Sequence, residues 1–193
     1  DFVVKPWDND RLIASLRNAY NMSQGENRKR KKESNARDEV PMFWGQSEAM
    51  SRVRDVVDKV AVTDANILIT GENGTGKEVL AREIHRRSLR RQSPMVSIDM
   101  GAIPESLFES ELFGHKKGAF TDAHTDREGK FLTASGGTLF LDEIGNLSQQ
   151  SQQKILVALQ NRSIVPLGSD EAVAVDIRLI AATNRDLFKM VGE

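Results

Sequence analysis

The chain has 193 residues, 39% of them hydrophobic and 28% charged, which predicts one main soluble domain with a single substantial core. No apolar run approaches the length of a membrane span, so insertion into a membrane is excluded. The absence of cysteine excludes disulfides and thiolate metal sites and is compatible with a cytoplasmic location, and a formal net charge of -1 argues against a broad duplex-clamping surface.

Residues 1–21 have the pattern of a strand followed by an amphipathic helix. The strand would run from Asp1 to Trp7, and four apolar residues would share one face of the helix: Leu12, Ile13, Leu16 and Ala19. Residues 22–41 are polar, basic and free of aromatic residues, which predicts a linker. The basic run at 28–32 is typical of a solvated spacer, and contact with nucleic acid or acidic lipid and a dimerising coil are open alternatives.

A new unit begins near Met42. Ser47 can cap a helix whose apolar residues recur at helical spacing and are expected in the core: Met50, Val53, Val56, Val57, Val60 and Ala61. Just before this helix, Phe43 and Trp44 would either flank a nucleotide base or form a hydrophobic staple at the helix entry.

The strongest chemical pattern is a glycine-rich loop that ends in a lysine. It follows an apolar run at 66–70, typical of a buried parallel strand, and precedes helical spacing at 78–84. Its glycines allow backbone N–H groups to approach an anion at the positive end of the helix, and the lysine adds a mobile charge for the outer phosphates. Nucleotide binding is therefore predicted for Gly71, Glu72, Asn73, Gly74, Thr75, Gly76 and Lys77, against the alternative of a turn without a ligand.

Further strands supply polar groups that would lie near this loop. Residues 95–99 form a second predicted strand, and Asp99 at its end is either functional or a capping residue. An apolar strand at 138–141 ends in Asp142 and Glu143, which suit Mg²⁺ binding and activation of the attacking water. Glu78 stands where the loop motif usually has a Mg²⁺-binding hydroxyl, so Mg²⁺ would rely on acids elsewhere.

The last third of the chain predicts a helix, a hairpin and another buried strand. The helix at 150–160 would turn Ile155, Leu156 and Leu159 inward, and 164–167 and 172–175 flank a predicted hairpin or irregular insertion. The strand at 177–182 leads to Asn184, whose amide would position water or sense the γ-phosphate, with an ordinary turn residue as the alternative.

A loop near the middle of the chain carries an aromatic residue between small residues. Phe120 follows two glycines, Gly114 and Gly118, and a cationic pair, Lys116 and Lys117. From the residues alone, Phe120 either projects from a mobile loop or is buried as the anchor of an ordinary connection.

Four motifs together resemble the sigma-54 interaction domain of AAA+ bacterial enhancer-binding proteins, from about Phe43 to the end of the chain: GENGTGKE, ELFGHKKGAFTDA, GGTLFLDE and AATNRDL. The resemblance implies an α/β fold of the P-loop AAA+ type, with three α-β-α layers around a central, mostly parallel sheet. It makes 71–77 the Walker A motif and Asp142 and Glu143 the Walker B motif, and it places Asn184 at sensor I. Glu78 is common in this family after the lysine, and it joins the expected nucleotide-binding residues.

The resemblance also assigns the loop that engages the sigma factor to Gly118, Ala119, Phe120, Thr121, Asp122 and Ala123. Phe120 and Thr121 would be the contacting pair. Asp122 replaces the family's usual glycine, which removes some left-handed conformations and adds a negative charge. Asp99 stands where the family usually has an asparagine that restrains the catalytic glutamate, so a carboxylate in this switch position needs a different hydrogen-bond arrangement.

The expected domain organisation has three parts. Residues 1–21, with Lys5 before Pro6, resemble the last strand and helix of a response-regulator receiver domain, 22–41 form the linker, and 42–193 form an AAA+ domain expected to stop before the arginine fingers and lid. The resemblance therefore implies a two-component regulator that is controlled by a sensor histidine kinase and binds enhancer DNA through a further domain.

The function implied by the resemblance is ATP hydrolysis with Mg²⁺, by a ring of six or seven subunits, to remodel sigma-54 RNA polymerase. Because an arginine finger from a neighbouring subunit can contribute about 10³ to 10⁵ in rate, this chain alone is expected to hydrolyse ATP weakly. One alternative is a nucleotide-gated binding module with little turnover. A P-loop kinase is disfavoured because Asp142 and Glu143 together with Asn184 suit attack by water.

Overall fold

The structure is a computed structural model that describes residues 42–191. The predicted receiver-like piece at 1–21, including Lys5, and the predicted linker at 22–41 lie outside the described residues. The described helices are α1 Glu48–Ala61, α2 Lys77–Arg86, α3 Phe108–Phe113, α4 Lys130–Thr133, α5 Gln149–Asn161 and α6 Leu187–Val191. The described strands are β1 Ile67–Thr70, β2 Met95–Asp99, β3 Gly114–His115, β4 Arg127–Glu128, β5 Thr138–Asp142, β6 Ser163–Ile164, β7 Val173–Ala174 and β8 Arg178–Thr183.

Four of these strands form a parallel sheet in the order β1-β8-β5-β2. Thr70 lies beside Thr183, Leu141 beside Ala181, and Asp99 beside Asp142. Because all four strands run in the same direction, their carboxyl ends meet at one edge of the sheet. That edge carries the residues that follow β1, β2, β5 and β8 in the sequence.

Strand β5 shows why the sheet is covered on both faces. Leu139 and Leu141 pack into one buried apolar cluster, whereas Phe140 packs into a second one with Val57 and Ile84. Successive strand residues point to opposite faces, so a continuous apolar run is what a strand between two helical layers requires. The layers are α1 and α2 on the Phe140 side and α3 to α5 on the other, as expected for the three-layer α-β-α fold.

The apolar stripe on α1 is only partly buried. Ser47 caps this helix as predicted, since its Oγ accepts a hydrogen bond of 3.3 Å from the Met50 backbone N–H. Val57 and Ala61 are buried, but Val53 and Val56 are exposed, and the prediction that the whole stripe faces the core is therefore wrong. The apolar face of α1 is wider than the part of it that packs on the core.

The predicted elements in the last third of the chain are confirmed, with one exception. The helix predicted at 150–160 is α5, and β6 and β7 pair antiparallel as the hairpin. Ile155 is buried and Leu159 packs against the same cluster, but Leu156 is about half exposed. Leu156 follows Ile155 directly, and one helical step of about 100° carries it off the buried face. Among the described residues, no helix is long and apolar enough to cross a membrane.

A buried acid fixes the C-terminal end of α2. The Glu83 side chain is buried, and its carboxylate accepts hydrogen bonds of 2.8 Å from Arg86 Nε and 2.7 Å from Arg87 Nε. The hydrogen bond from Arg86 lowers the pKa of the Glu83 carboxyl to about 2, helped by Arg87 and opposed by burial. Arg87 also lies over the Trp44 ring, 5.1 Å from its centroid. Trp44 therefore packs at the end of α2 that is remote from the glycine-rich loop, which disfavours a base-flanking role.

Arg178, the first residue of β8, is a buried cation at the amino end of the sheet. It is 1% exposed, and its guanidinium donates 2.8 Å and 2.7 Å hydrogen bonds to the carbonyl oxygens of Ala61 and Val60. These carbonyls belong to the last turn of α1, where the helix dipole favours a positive charge. Burial lowers the pKa of the Arg178 guanidinium from its ordinary value. Arg178 thus caps α1 from the sheet.

We expect Arg178→Met to lower the free energy of unfolding by about 2 to 3 kcal/mol, because it leaves buried carbonyl groups without their donors. That loss corresponds to a fall in Tm of roughly 5 to 10 °C for a domain of this size. Thermal unfolding followed by circular dichroism measures it, with the exposed Arg91→Met as the matched control. Equal Tm values for the two variants would show that the cap contributes nothing.

Candidate functional site

The glycine-rich loop lies between β1 and α2, at the carboxyl edge of the sheet. Gly74 and Gly76 have φ angles of 77° and 84°, a region that suits glycine and strains other residues. Gly76 directly precedes the first turn of α2, so the N–H groups of that turn point into the loop. The Thr75 hydroxyl closes the loop by donating a 2.8 Å hydrogen bond to the Glu72 carbonyl oxygen.

Lys77 extends across this loop instead of pointing into solvent. Its Nζ donates hydrogen bonds of 3.1 Å to the Gly71 carbonyl oxygen and 2.9 Å to the Glu72 carbonyl oxygen. The ammonium group, the N–H groups of the first turn of α2 and the positive end of the helix dipole thus lie together at the loop. Such an arrangement binds phosphate groups. Glu78 lies on the helix surface, where its Oε1 accepts a 2.9 Å hydrogen bond from Arg82 Nη2.

Asp142 ends β5, which lies between β8 and β2 in the sheet. Its Oδ1 accepts a 2.9 Å hydrogen bond from the backbone N–H of Glu143, which fixes the carboxylate at the turn. Among the described residues, no group of three or more His, Cys, Asp or Glu side chains is arranged to hold a metal ion. Mg²⁺ commonly takes one or two carboxylates and completes its shell with phosphate oxygens and water, and Asp142 is the carboxylate here that could hold it.

Glu143 has an unusual backbone conformation. Its φ of 56° and ψ of 40° are left-handed, which costs a residue other than glycine roughly 1 to 2 kcal/mol. Its Oε2 accepts a 2.7 Å hydrogen bond from the side-chain amide of Asn146, in the short 3-10 turn Ile144–Asn146. Strain of this kind concentrates at functional sites, where the surrounding structure compensates for it.

Asp99, at the end of β2, makes a local hydrogen bond within the turn that follows the strand and does not cap a helix. Its Oδ1 accepts a 2.9 Å hydrogen bond from the backbone N–H of Gly101. The Glu143 carboxylate borders the same glycine, since a Cβ built on Gly101 would lie 2.8 Å from Glu143 Oε2. The structure therefore brings the carboxylates of Asp99 and Glu143 to the same region beside Gly101, since Asp99 Oδ1 would lie 3.3 Å from that Cβ.

Asn184 follows β8 at the same edge and is exposed. Its position is set by Thr183, a fully buried residue whose Oγ1 accepts a 3.1 Å hydrogen bond from the backbone N–H of Arg185. The turn after Glu143 packs directly on this segment, because a Cβ on Gly145 would lie 2.7 Å from Thr183 Oγ1. The Glu143 turn and the Asn184 segment are thus in direct contact.

The loop that carries Phe120 projects from the small antiparallel sheet formed by β3 and β4. Phe120 is 39% exposed, and one edge of its ring contacts the buried His115, with the ring centroids 4.9 Å apart. Thr121 and Asp122 are exposed, and the tip is closed by a 3.0 Å hydrogen bond from Ala123 N–H to the Phe120 carbonyl oxygen. Phe120 is therefore neither fully projecting nor buried, because its ring is partly exposed and packs against His115 at the base of its own loop.

The base of this loop leaves no room for side chains at two positions. A Cβ on Gly114 would lie 2.4 Å from the Arg127 carbonyl oxygen, and a Cβ on Gly129 would lie 2.3 Å from the Phe113 carbonyl carbon.

Just above the base, Asp126 accepts 2.9 Å and 2.8 Å hydrogen bonds from Lys116 Nζ and Lys117 N–H. The bond from Lys117 N–H, followed by that from Lys116, lowers the pKa of the Asp126 carboxyl.

The sequence did not predict two of these interactions, namely the hydrogen bonds of Asp126 with Lys116 and Lys117 and the hydrogen bond from Asn146 to Glu143. Asp126 could have been found as the acid that follows a cationic pair across a short loop, at the spacing of a hairpin. The amide of Asn146 lies three residues after Glu143, which is a spacing typical of a helical or 3-10 turn. No such turn is indicated by the apolar pattern around it.

The region with this geometry matches a known family. The profile described as the Sigma-54 interaction domain matches residues 43–193. The transcriptional regulatory protein ZraR of Salmonella typhimurium is 45% identical over 192 residues, which cover 100% of this chain and 43% of ZraR. The chain thus spans less than half the length of this curated relative.

Solved structures agree with the sequence comparison. NtrX from Brucella abortus, solved in complex with ATP, is 33% identical with a TM-score of 0.73, and the match covers 100% of this chain and 42% of NtrX. The P-loop NTPase domain of a sigma-54 activator from E. coli shares the fold, with 22% identity, a TM-score of 0.50 and coverage of 77% of this chain and 83% of that one. The expected P-loop AAA+ fold is confirmed, and the chain belongs to the sigma-54 interaction domain family of transcriptional regulators.

Proposed function

We propose that this chain is the ATP-hydrolysing part of a cytoplasmic transcription activator that remodels sigma-54 RNA polymerase. The observation that carries the proposal is that three strands of the parallel sheet end at the same edge with reactive groups. The phosphate-binding loop with Lys77 follows β1, Asn184 follows β8, and Asp142 and Glu143 lie at the end of β5. ATP in the NtrX complex supports the nucleotide assignment.

Each residue at this edge has a distinct role in the proposed reaction. The loop 71–77 binds the phosphates through backbone N–H groups, and Lys77 exchanges its carbonyl partners for phosphate oxygens. Asp142 would hold Mg²⁺, which neutralises phosphate charge when it is bound with ATP. Glu143 accepts the proton of the water that attacks the γ-phosphorus, Asn184 positions that water, and the bond to the ADP oxygen breaks.

The Phe120 loop is the part of the chain that would act on the sigma factor when ATP is hydrolysed. Phe120 and Thr121 are exposed at the tip, and they are the residues proposed to contact the sigma factor. The loop is connected to the hairpin of β6 and β7, because Lys116 N–H donates a 2.9 Å hydrogen bond to the carbonyl oxygen of Leu167, between those two strands. A change at the nucleotide site can reach the tip through such packed segments.

Control and assembly are parts of the same proposal. We infer a ring of six or seven copies, with the catalytic arginine supplied by the neighbouring copy. Phosphorylation by a sensor histidine kinase would control the activity, and enhancer DNA would be bound by a separate domain. The match to the sigma-54 interaction domain supports these proposals, and the relative ZraR is longer than this chain.

We expect Lys77→Ala to weaken ATP binding about 10- to 100-fold, because it removes a charge-assisted contact to phosphate. Titration of the full-length protein with a fluorescent ATP analogue measures the affinity. Lys59→Ala, at an exposed position in the last turn of α1, is the matched control. An unchanged affinity in Lys77→Ala would refute the assigned loop.

Hydrolysis separates the enzyme from a nucleotide-gated binding module. If the proposal holds, ATP turnover per subunit rises steeply with protein concentration, because the site is completed by a neighbouring copy. ATP binding without turnover at any concentration would support the binding module instead.

A further inference from the structure

The loop that carries Phe120 has a very short base, and one side chain joins its two arms just beyond that base. Strands β3 and β4 pair through two residues each, and His115 beside Arg127 is the pair nearest the tip. Directly beyond this pair, Lys117 N–H donates a 2.8 Å hydrogen bond to Asp126 Oδ1. A carboxylate therefore accepts from the backbone of the arm that leaves β3, and it belongs to the arm that returns to β4.

The second oxygen of the same carboxylate binds the preceding residue of that arm. Asp126 Oδ2 accepts a 2.9 Å hydrogen bond from Lys116 Nζ. The two side chains are 53% and 58% exposed, and ion pairs as exposed as this contribute little on their own. The bond from Lys117 N–H lowers the pKa of the Asp126 carboxyl more than Lys116 does. The backbone bond is therefore the main connection between the two arms at this level.

The part of the loop beyond Asp126 is narrow, and its entry is open. Gly118 N–H donates a 2.8 Å hydrogen bond to the Ala123 carbonyl oxygen. Gly118 has a φ of 84°, and a Cβ built on it would meet no atom within 4 Å. A glycine in open space has wide conformational freedom, so the direction of the tip is not fixed at Gly118 itself. Once the Phe120 ring leaves His115, that direction depends on how the arms are joined below.

We propose that Asp126 is a positioning residue that fixes the direction of the Phe120 tip for contact with the sigma factor. A loop that samples several conformations binds more weakly, in proportion to the fraction of molecules that hold the binding conformation. A loop that is already held in that conformation does not lose this freedom on binding. The inference rests on the proposed contact of Phe120 with the sigma factor, and it assigns part of the strength of that contact to a residue outside 118–123.

The first test is Asp126→Ala in the full-length protein, loaded with a transition-state analogue of ATP and titrated with purified sigma-54. The Kd for sigma-54 is expected to rise about tenfold, as it would if the binding conformation fell to about a tenth of the population. ATP turnover is expected to stay within twofold, because Asp126 contacts Lys116 and Lys117 rather than the residues assigned to ATP. Asp55→Ala, at an exposed position on α1, is the matched control and should change neither value.

Two conservative variants separate the backbone bond from the ion pair. Asp126→Asn keeps an oxygen that can accept from Lys117 N–H and loses the charge that faces Lys116. Its Kd for sigma-54 is expected within about threefold of the unmodified value, and that of Lys116→Met, which removes only the ion pair, within about twofold. Hydrogen exchange of the Lys117 amide should accelerate about tenfold in Asp126→Ala but not in Asp126→Asn, with the Tm of the domain unchanged in both.

The outcomes separate this inference from the proposed function. An unchanged Kd in Asp126→Ala, in a protein whose capture of sigma-54 depends on Phe120, overturns the inference and leaves the function standing. An Asp126→Asn variant as weak as Asp126→Ala also overturns it, and so does weaker capture that is accompanied by a fall in Tm. Failure of the unmodified full-length protein to capture sigma-54 overturns the proposed function, and the inference with it.

Discussion

Replacing Glu143 with glutamine is expected to lower the ATP turnover of the full-length protein at least about 100-fold while leaving ATP affinity within twofold. The amide is almost the same size as the carboxylate but cannot accept the proton of the attacking water, and loss of a general base typically costs about 10² to 10⁴ in rate. Single-turnover hydrolysis and a binding titration on the same preparation measure the two effects. The left-handed backbone of Glu143 is unchanged by this substitution, so the comparison isolates the side-chain chemistry.

The control for this prediction is Glu48→Gln, which removes an exposed carboxylate whose hydrogen-bonding partner is Arg52 on the surface of α1. It should turn over ATP at the unmodified rate. If Glu143→Gln retains more than a tenth of the activity, the proton acceptor is another group, and Asp142 would be the next candidate at that edge of the sheet.

Replacing Phe120 with alanine is expected to weaken capture of the sigma factor at least about 30-fold, with ATP turnover within twofold. Exposed aromatic residues that insert into a partner often account for 2 kcal/mol or more of binding free energy. The ring has to leave His115 before it can insert fully, and that contact is an edge-on packing of two rings with no hydrogen bond described between them. Capture of purified sigma-54 by the full-length protein, loaded with a transition-state analogue of ATP, measures the effect.

Phe43 provides the matched control for this experiment. It is 89% exposed, and it precedes α1 rather than lying in the loop. Phe43→Ala should capture the sigma factor as the unmodified protein does. Equal capture by Phe120→Ala and Phe43→Ala would mean that another part of the surface contacts the sigma factor.

The phosphate-binding loop and the acids of β5 could be predicted because their chemistry is local. Glycines at fixed spacing before Lys77 can be recognised without knowing the neighbours of the strand, and an apolar run that ends in Asp142 and Glu143 implies a buried strand with functional groups at its end. Parallel strands bring such ends together whatever their order. The residues alone therefore predict the chemical groups of the site but not the order of the strands that carry them.

The features that were missed depend on contacts between segments remote in the sequence or on backbone conformation. Arg178 is a charged residue at the start of a predicted strand, and only the position of the end of α1 makes it a buried cap. The bond from Asn146 requires the left-handed turn at Glu143, which no propensity predicts for a glutamate. Val53 and Val56 have helical spacing, but spacing does not show how much of a helix face is covered.

The position of β8 has a consequence for how activity is lost on heating. This strand is paired on both sides, begins at the cap of α1 and ends at Thr183, directly before Asn184, so six consecutive residues connect the core to the catalytic edge. Separation of β8 from β1 or β5 requires the sheet itself to open, which is a global event. We therefore expect the proposed ATP turnover to be lost in the same temperature range in which the sheet unfolds, which parallel measurements of turnover and circular dichroism on heating would check.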